Sequence, residues 1–197
     1  MVEQDIARSA PGRPRSAEVS RGINLAALAL LRERGPQGVT VEAVAQYSGS
    51  AKTTIYRRYK NRYELLRSSL AFVEDIPEPS PGLPVRERLV YLLTQFRHGL
   101  EEVVGLRALV ALLHGDEDPE FTQVFRETIL GPRLEVIFQT LRSGVESGEL
   151  RADADYETVV SMLAGSFIAR FAVRGAPPPA DWADAVVDTI WPAIRAA

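Results

Sequence analysis

The chain has 197 residues, 46% hydrophobic and 25% charged, with no cysteine and a net charge of −3. That length suits one ordinary domain or two small ones, and the missing thiols exclude disulfides and cysteine chemistry. The start, MVEQDIARSAPGRPRS, lacks the apolar core of a secretory signal, and the longest uncharged apolar run, about Thr158 to Ala169, is too short to span a bilayer; the expectation is a soluble, cytoplasmic protein. Charge is unevenly placed. Arg8 to Arg67 holds 12 basic and 4 acidic residues, whereas Ile76 onward holds 11 basic and 18 acidic. A basic head on an acidic body points to a polyanionic partner for the head.

Residues 1–15 read as a flexible basic arm ending in GRPR, whose Arg13 and Arg15 suit a narrow minor groove. The first helical stripe follows, with Ile23, Ala26, Ala27, Leu30 and Leu31 on one face. Gly35-Pro36 stops it. Thr40 caps a short helix with Val41, Val44 and Ala45 turned inward, and Gly49 ends it. A second short helix runs about Ala51 to Arg58, with Ile55 facing the core. Asn61 and Glu64 resemble a capping box opening a fourth helix through Leu65, Leu66, Leu70 and Val73.

IPEPSPGLP, residues 76–84, is the clearest boundary. Beyond it the spacing predicts a helix over 85–103 with Leu89, Leu92, Leu93 and Phe96 inward, and another over 106–114. Asp118-Pro119 opens a helix toward Gly148, with a kink or break at Gly131-Pro132. Asp155 caps a helix to Arg174 that is apolar on most of its circumference. The last helix is expected to carry Trp182, Ala185, Val186, Thr189 and Ile190 on one stripe. Almost no strand signal is present, so the expected fold class is all-α with about nine to ten helices.

Ser48 to Arg62, SGSAKTTIYRRYKNR, packs five cations and no acid into fifteen residues. Two short helices about a glycine turn, the second polar and basic, form a helix-turn-helix pattern. A helix entering a major groove about 12 Å wide must present small, polar groups. Ala51, Lys52, Thr53 and Thr54 suit base edges there. Tyr56, Arg57, Arg58, Lys60 and Arg62 suit phosphates at the rim, and Thr40 with its helix start suits another.

Residues 38–66, GVTVEAVAQYSGSAKTTIYRRYKNRYELL, resemble the DNA-binding domain of TetR-family transcriptional regulators. The matching features are the Thr after the glycine loop, the Ala45 and Gly49 spacing, Thr54-Ile55-Tyr56, the aromatic Tyr59, the cation Arg62 and the Leu65-Leu66 pair. The resemblance implies a helix-turn-helix domain over 16–60 and a larger helical ligand-binding and dimerisation domain over 61–197. It implies a homodimer on a palindromic operator, usually a repressor released by a small apolar or amphipathic ligand. It also places Thr40, Lys52, Thr53, Thr54, Tyr56, Arg58 and Arg62 at the positions that contact DNA in relatives. Ser48, Ser50 and Glu42 depart from the family pattern.

For the ligand pocket the candidates are Phe96, Leu109, Phe121, Phe125 and Phe138. For the dimer interface they are Val160, Leu163, Phe167 and Phe171 with Trp182, Val186 and Ile190. An enzyme is the main rival class: HGDED, residues 114–118, gathers metal-ligand types around His114. A pentapeptide does not readily wrap an ion without distant ligands, and Asp118 already has a capping role. The expectation is no catalytic residue, no metal, no cofactor and no membrane partner. A helical ligand- or partner-binding protein without sequence-specific DNA binding remains a third reading.

Overall fold

The computed structural model describes residues 13–73, 78–113 and 117–196. Among them the architecture is all-α: α1 (Arg13–Arg34), α2 (Val41–Ser48), α3 (Lys52–Tyr56), α4 (Arg62–Ala71), α5 (Val85–His98), α6 (Leu106–Leu113), α7 (Pro119–Phe125), α8 (Gly131–Glu146), α9 (Tyr156–Arg174) and α10 (Trp182–Ile194). Two π-helical stretches extend these elements, Gly99–Val104 after α5 and Arg126–Leu130 between α7 and α8. The path from α7 through α8 is unbroken, so the expected kink at Gly131-Pro132 takes the form of a widened turn. Proline has no N–H for the helical ladder, and a wider register just before it absorbs the missing bond.

Helix ends follow their local signals. Thr40, Asn61, Asp118 and Asp155 each accept a backbone N–H three residues on. Glu64 completes the Asn61 box one residue further back than expected, taking the Lys60 amide at 2.7 Å. The first helix departs from expectation by beginning at Arg13. Arg13 and Arg15 therefore stand in a helical first turn, where Pro14 is tolerated, and not in an extended arm; residues 1–12 lie outside the described residues.

The core is continuous from head to body. Ile23, Leu30, Leu31, Val44, Ile55, Leu65, Leu66 and Leu70 bury the head, and Leu89, Leu93, Phe96, Leu109, Phe121, Phe125 and Phe167 the body. α1 lies along α2 and α4 and also reaches α6. At Gly105 (φ +88) an added Cβ would stand 3.0 Å from the Arg32 Cα, so α1 seats directly on the turn before α6. The chain end is pinned by an antiparallel bridge between Leu150 and Arg195.

α9 is apolar enough along its 19 residues to match a bilayer span by length and composition, further than its uncharged run suggested. One face of it packs in the core. There the structure corrects the interface expectation: Val160, Leu163, Phe167 and Trp182 are 0–4% exposed inside a single subunit. The Phe167 ring meets Phe96 edge-on at 6.0 Å and Trp182 at 5.5 Å, and the indole N–H donates to Ser166 Oγ. The buried stripe of α10 is Trp182, Ala183, Val187 and Ile194, rotated from the expected one. Phe171, Val186 and Ile190 remain half-buried.

Because the Trp182 side chain is enclosed by its own subunit, Trp182→Ala is expected to lower unfolding free energy by about 3–5 kcal/mol. Urea denaturation should show this loss unchanged across protein concentrations.

Candidate nucleic-acid interface

Thr40 opens α2 with an extended backbone and a side chain that accepts the Ala43 amide at 3.1 Å. Gly49 closes α2 in the left-handed region at φ 67, which an L side chain rarely adopts. The Ser48 hydroxyl accepts the Ser50 amide at 3.3 Å, so the serines that depart from the family pattern tighten the turn by a local bond. Ala51 leads into α3, and Ile55, fully buried, fixes its phase. That phase turns Lys52, Thr53, Tyr56 and Arg57 to solvent, with Thr54 partly covered. Tyr59 closes the unit, its hydroxyl donating at 3.0 Å to the buried Asn24 Oδ1. Asn24 in turn donates to Ser68 Oγ and accepts from Ser69 Oγ, joining α1 to α4 through satisfied polar groups.

The cations are not equally available. Lys52 Nζ lies 3.1 Å from Glu42 Oε1, both half exposed, so the acid that departs from the family pattern is paired with the first cation of α3. Bonding to its own backbone amide, then Lys52, holds the Glu42 carboxyl below its ordinary pKa. Arg58 is held to α1, with Nε on Ser20 Oγ and Nη2 on Ser16 Oγ, and Nη1 on Thr54 O. Arg57 and Lys60 point outward.

Arg62 requires a correction. The sequence places it at the phosphate rim, yet its guanidinium faces inward, onto Asp118 (2.7 and 3.1 Å), Glu120 (3.1 Å) and the carbonyls of Pro36 (2.7 Å) and Val39 (3.0 Å). These acceptors satisfy its fork before any phosphate arrives. Burial would lower its pKa, but Asp118 and Glu120 together hold it above the ordinary arginine value. Asp118 thus serves as cap and counterion, while His114 lies outside the described residues.

Two family models cover both halves of the chain. Residues 23–68 match the description "Bacterial regulatory proteins, tetR family" and residues 83–190 match "Tetracyclin repressor-like, C-terminal domain". The chain belongs to the TetR family. It is a helix-turn-helix transcriptional regulator of a non-enzymatic family. It is 27% identical over 172 residues to YdeS of Bacillus subtilis, an uncharacterized HTH-type transcriptional regulator, covering 85% of each chain. It is 29% identical over 185 residues to Rv1556 of Mycobacterium tuberculosis, covering 91% of this chain and 87% of the other. Among solved structures, the TetR family regulator SCO0332 superposes with a TM-score of 0.67 at 28% identity, covering 89% of this chain and 97% of that one. FadR of Bacillus subtilis, solved in complex with stearoyl-CoA, has the same fold: its TM-score is 0.67 at 22% identity, covering 86% and 96%.

In this TetR-family chain a cavity of about 370 Å³ opens in the body between α4, α5, the second π-helical stretch and α8. Leu70, Val73, Leu92, Phe96 and Val136 form its apolar wall, with Glu78, Thr128 and Arg133 as polar groups. Of the five pocket candidates only Phe96 lines it. Leu109, Phe121 and Phe125 are fully buried packing, and Phe138 is half-buried elsewhere. Aromatic content marked the core here, since large rings fill a core as readily as they line a cavity.

Glu42 is held ionised in the first turn of α2, so Glu42→Gln removes a negative charge from the helix-turn-helix unit and trades its ion pair with Lys52 for a neutral side chain of the same shape. Binding to duplexes of arbitrary sequence should tighten about fivefold at low salt and less at high salt, as followed by fluorescence anisotropy.

Proposed function

We propose that the protein is a dimeric repressor that holds an inverted-repeat operator and releases it when a small, largely apolar ligand enters the body. The observation that carries this reading is an apolar face left uncovered on α9 and α10. Met162 is 56% exposed and Val173 80%. Met162 lines an open groove of about 330 Å³ together with Ser166, Val186, Thr189 and Ile190. Exposed apolar surface of this kind is normally covered by a partner, and a second copy supplies the same face in a two-fold pair of helices. Such a dimer presents two α3 helices, and an inverted repeat with half-sites about 34–36 Å apart, or a multiple, is its natural target.

In each half-site Lys52 donates to guanine acceptors and the Thr53 methyl meets a thymine methyl. Tyr56, Arg57 and Lys60 reach flanking phosphates, together with Thr40 at the start of α2. The body cavity falls within the size range of small-ligand sites, and its mainly apolar wall favours an acyl-like or similarly amphipathic compound; the FadR complex with stearoyl-CoA supports that class. A ligand acts on the operator only through a difference in affinity between the two states of the dimer. The site of action is the cytoplasm, where bacterial DNA is.

Selection of bound duplexes from a random pool at near-physiological salt is expected to enrich an inverted repeat. A pool that binds without enrichment would favour a nonspecific binder, and no binding at all would favour a ligand- or partner-binding protein. On the selected operator Lys52→Ala should cost about 1–3 kcal/mol and relax preference at one position per half-site. Met162→Glu places a charge on the uncovered face and should turn the dimer into a folded monomer in sedimentation velocity.

A further inference from the structure

Arg62 is the first residue of α4 and stands where head meets body. Its five N–H groups meet five acceptors. Nε donates to Val39 O, Nη1 to Asp118 Oδ1 and Glu120 Oε2, and Nη2 to Asp118 Oδ2 and Pro36 O. The Asp118 side chain is 8% exposed and that of Arg62 24%. Asp118 also accepts the Phe121 amide at 3.1 Å, so the carboxylate is fixed to the first turn of α7 and cannot follow a displaced arginine without uncapping that helix. On the other side the two carbonyls belong to the buried Pro36 and Val39 in the turn from α1 to α2. Val39 immediately precedes Thr40, the cap of α2.

We propose that Arg62 is a positioning residue for DNA binding: it ties the start of α7 in the body to the entry of α2 in the head, and so holds α2 and α3 at the attitude in which they meet the operator. A planar fork gripped on both edges constrains direction as well as distance, which a lysine ammonium at this position would not reproduce. A second contact runs parallel, from the Tyr63 hydroxyl to Glu127 Oε2 at 3.2 Å. The inference rests on the operator-binding reading above.

Asp118→Asn separates this role from simple electrostatics by its sign. Asparagine still caps a helix, so α7 keeps its start. The substitution removes a negative charge near the head and releases a cation, and on electrostatic grounds alone DNA binding would tighten. A positioning role predicts the reverse, about tenfold weaker binding to the selected operator with unrelated duplexes unchanged or slightly tighter. Arg62→Gln should likewise weaken binding to the selected operator about tenfold, with an unaltered salt dependence, and the double variant should be no worse than either single one. Operator binding by Asp118→Asn at or above the wild-type level would overturn the proposal, as would a salt slope reduced by about one in Arg62→Gln, the mark of a lost phosphate contact.

Hydrogen exchange provides a measurement that needs no operator. Amides of 38–44 should exchange faster in both variants, while 89–96 in α5 stays as in the wild type. Unchanged exchange at 38–44 would overturn the tie. A wild-type protein that selects no inverted repeat would instead sink the operator-binding reading, leaving the tie to be decided by exchange.

Discussion

The head has too few residues for a core of its own. Its first three helices and their turns span residues 13–59, a length at which a chain buries only a modest share of its surface. Ile23, Leu30 and Leu31 of α1 are buried between two neighbours, α2 with its Val44 on one side and α4 with its Leu65, Leu66 and Leu70 on the other. A boundary at 60/61 is therefore one of sequence and not of packing. α1 extends the same logic, since it runs past the head to seat on Gly105 and α6. α4 belongs to both halves: it contributes Leu66 to the head core and Leu70 and Ala71 to the cavity wall, which Val73 just beyond its end continues.

That sharing requires polar groups to be buried at the seam, and they are matched. Asn24, 6% exposed, uses both ends of its amide on Tyr59, Ser68 and Ser69. The Arg62 fork has an acceptor for every N–H. An isolated buried charge costs several kcal/mol, and a pair is tolerated only when its remaining hydrogen bonds are satisfied. Mismatched partners at this depth would open the seam. Each of these groups therefore restricts how α1, α4 and α7 can sit relative to one another, which apolar packing alone does less sharply.

What the sequence made legible was local. Caps at Thr40, Asn61, Asp118 and Asp155, the glycine at 49 and the inward phase of Ile55 all follow from interactions within four residues, so a single chain read in order suffices. The errors share a different cause. Arg62 and Asp118 lie 56 positions apart, and no spacing rule pairs them; Arg62 took the rim role because its neighbours have it. On α9 and α10 apolar residues occupy most of the circumference, and periodicity then cannot tell the side facing α5 from the side facing outward. Phe167 and Trp182 lie on the side that faces α5 and the core, Val186 and Ile190 on the partly open one, and the pattern of apolar residues is alike on both. A cavity is a gap between elements, so the Leu70, Leu92 and Val136 that line it look in sequence like any core residue.

The charge asymmetry that first pointed to a polyanion also changes meaning once partners are known. A count of basic residues treats every cation in the head as available to phosphate. In the folded chain Lys52 is shared with Glu42, Arg58 is bound to Ser16 and Ser20, and Arg62 is spent on Asp118 and Glu120. The exposed guanidinium of Arg57 and the ammonium of Lys60, whose side chain is 88% exposed, flank α3 with fewer ties. Long-range attraction depends on the sum of these charges and so survives their pairing. Short-range contact depends on which donors remain, and those lie at the rim of α3 and not at the start of α4. The cation after the Asn61 cap thus points from the head to the body, where Asp118 and Glu120 hold it.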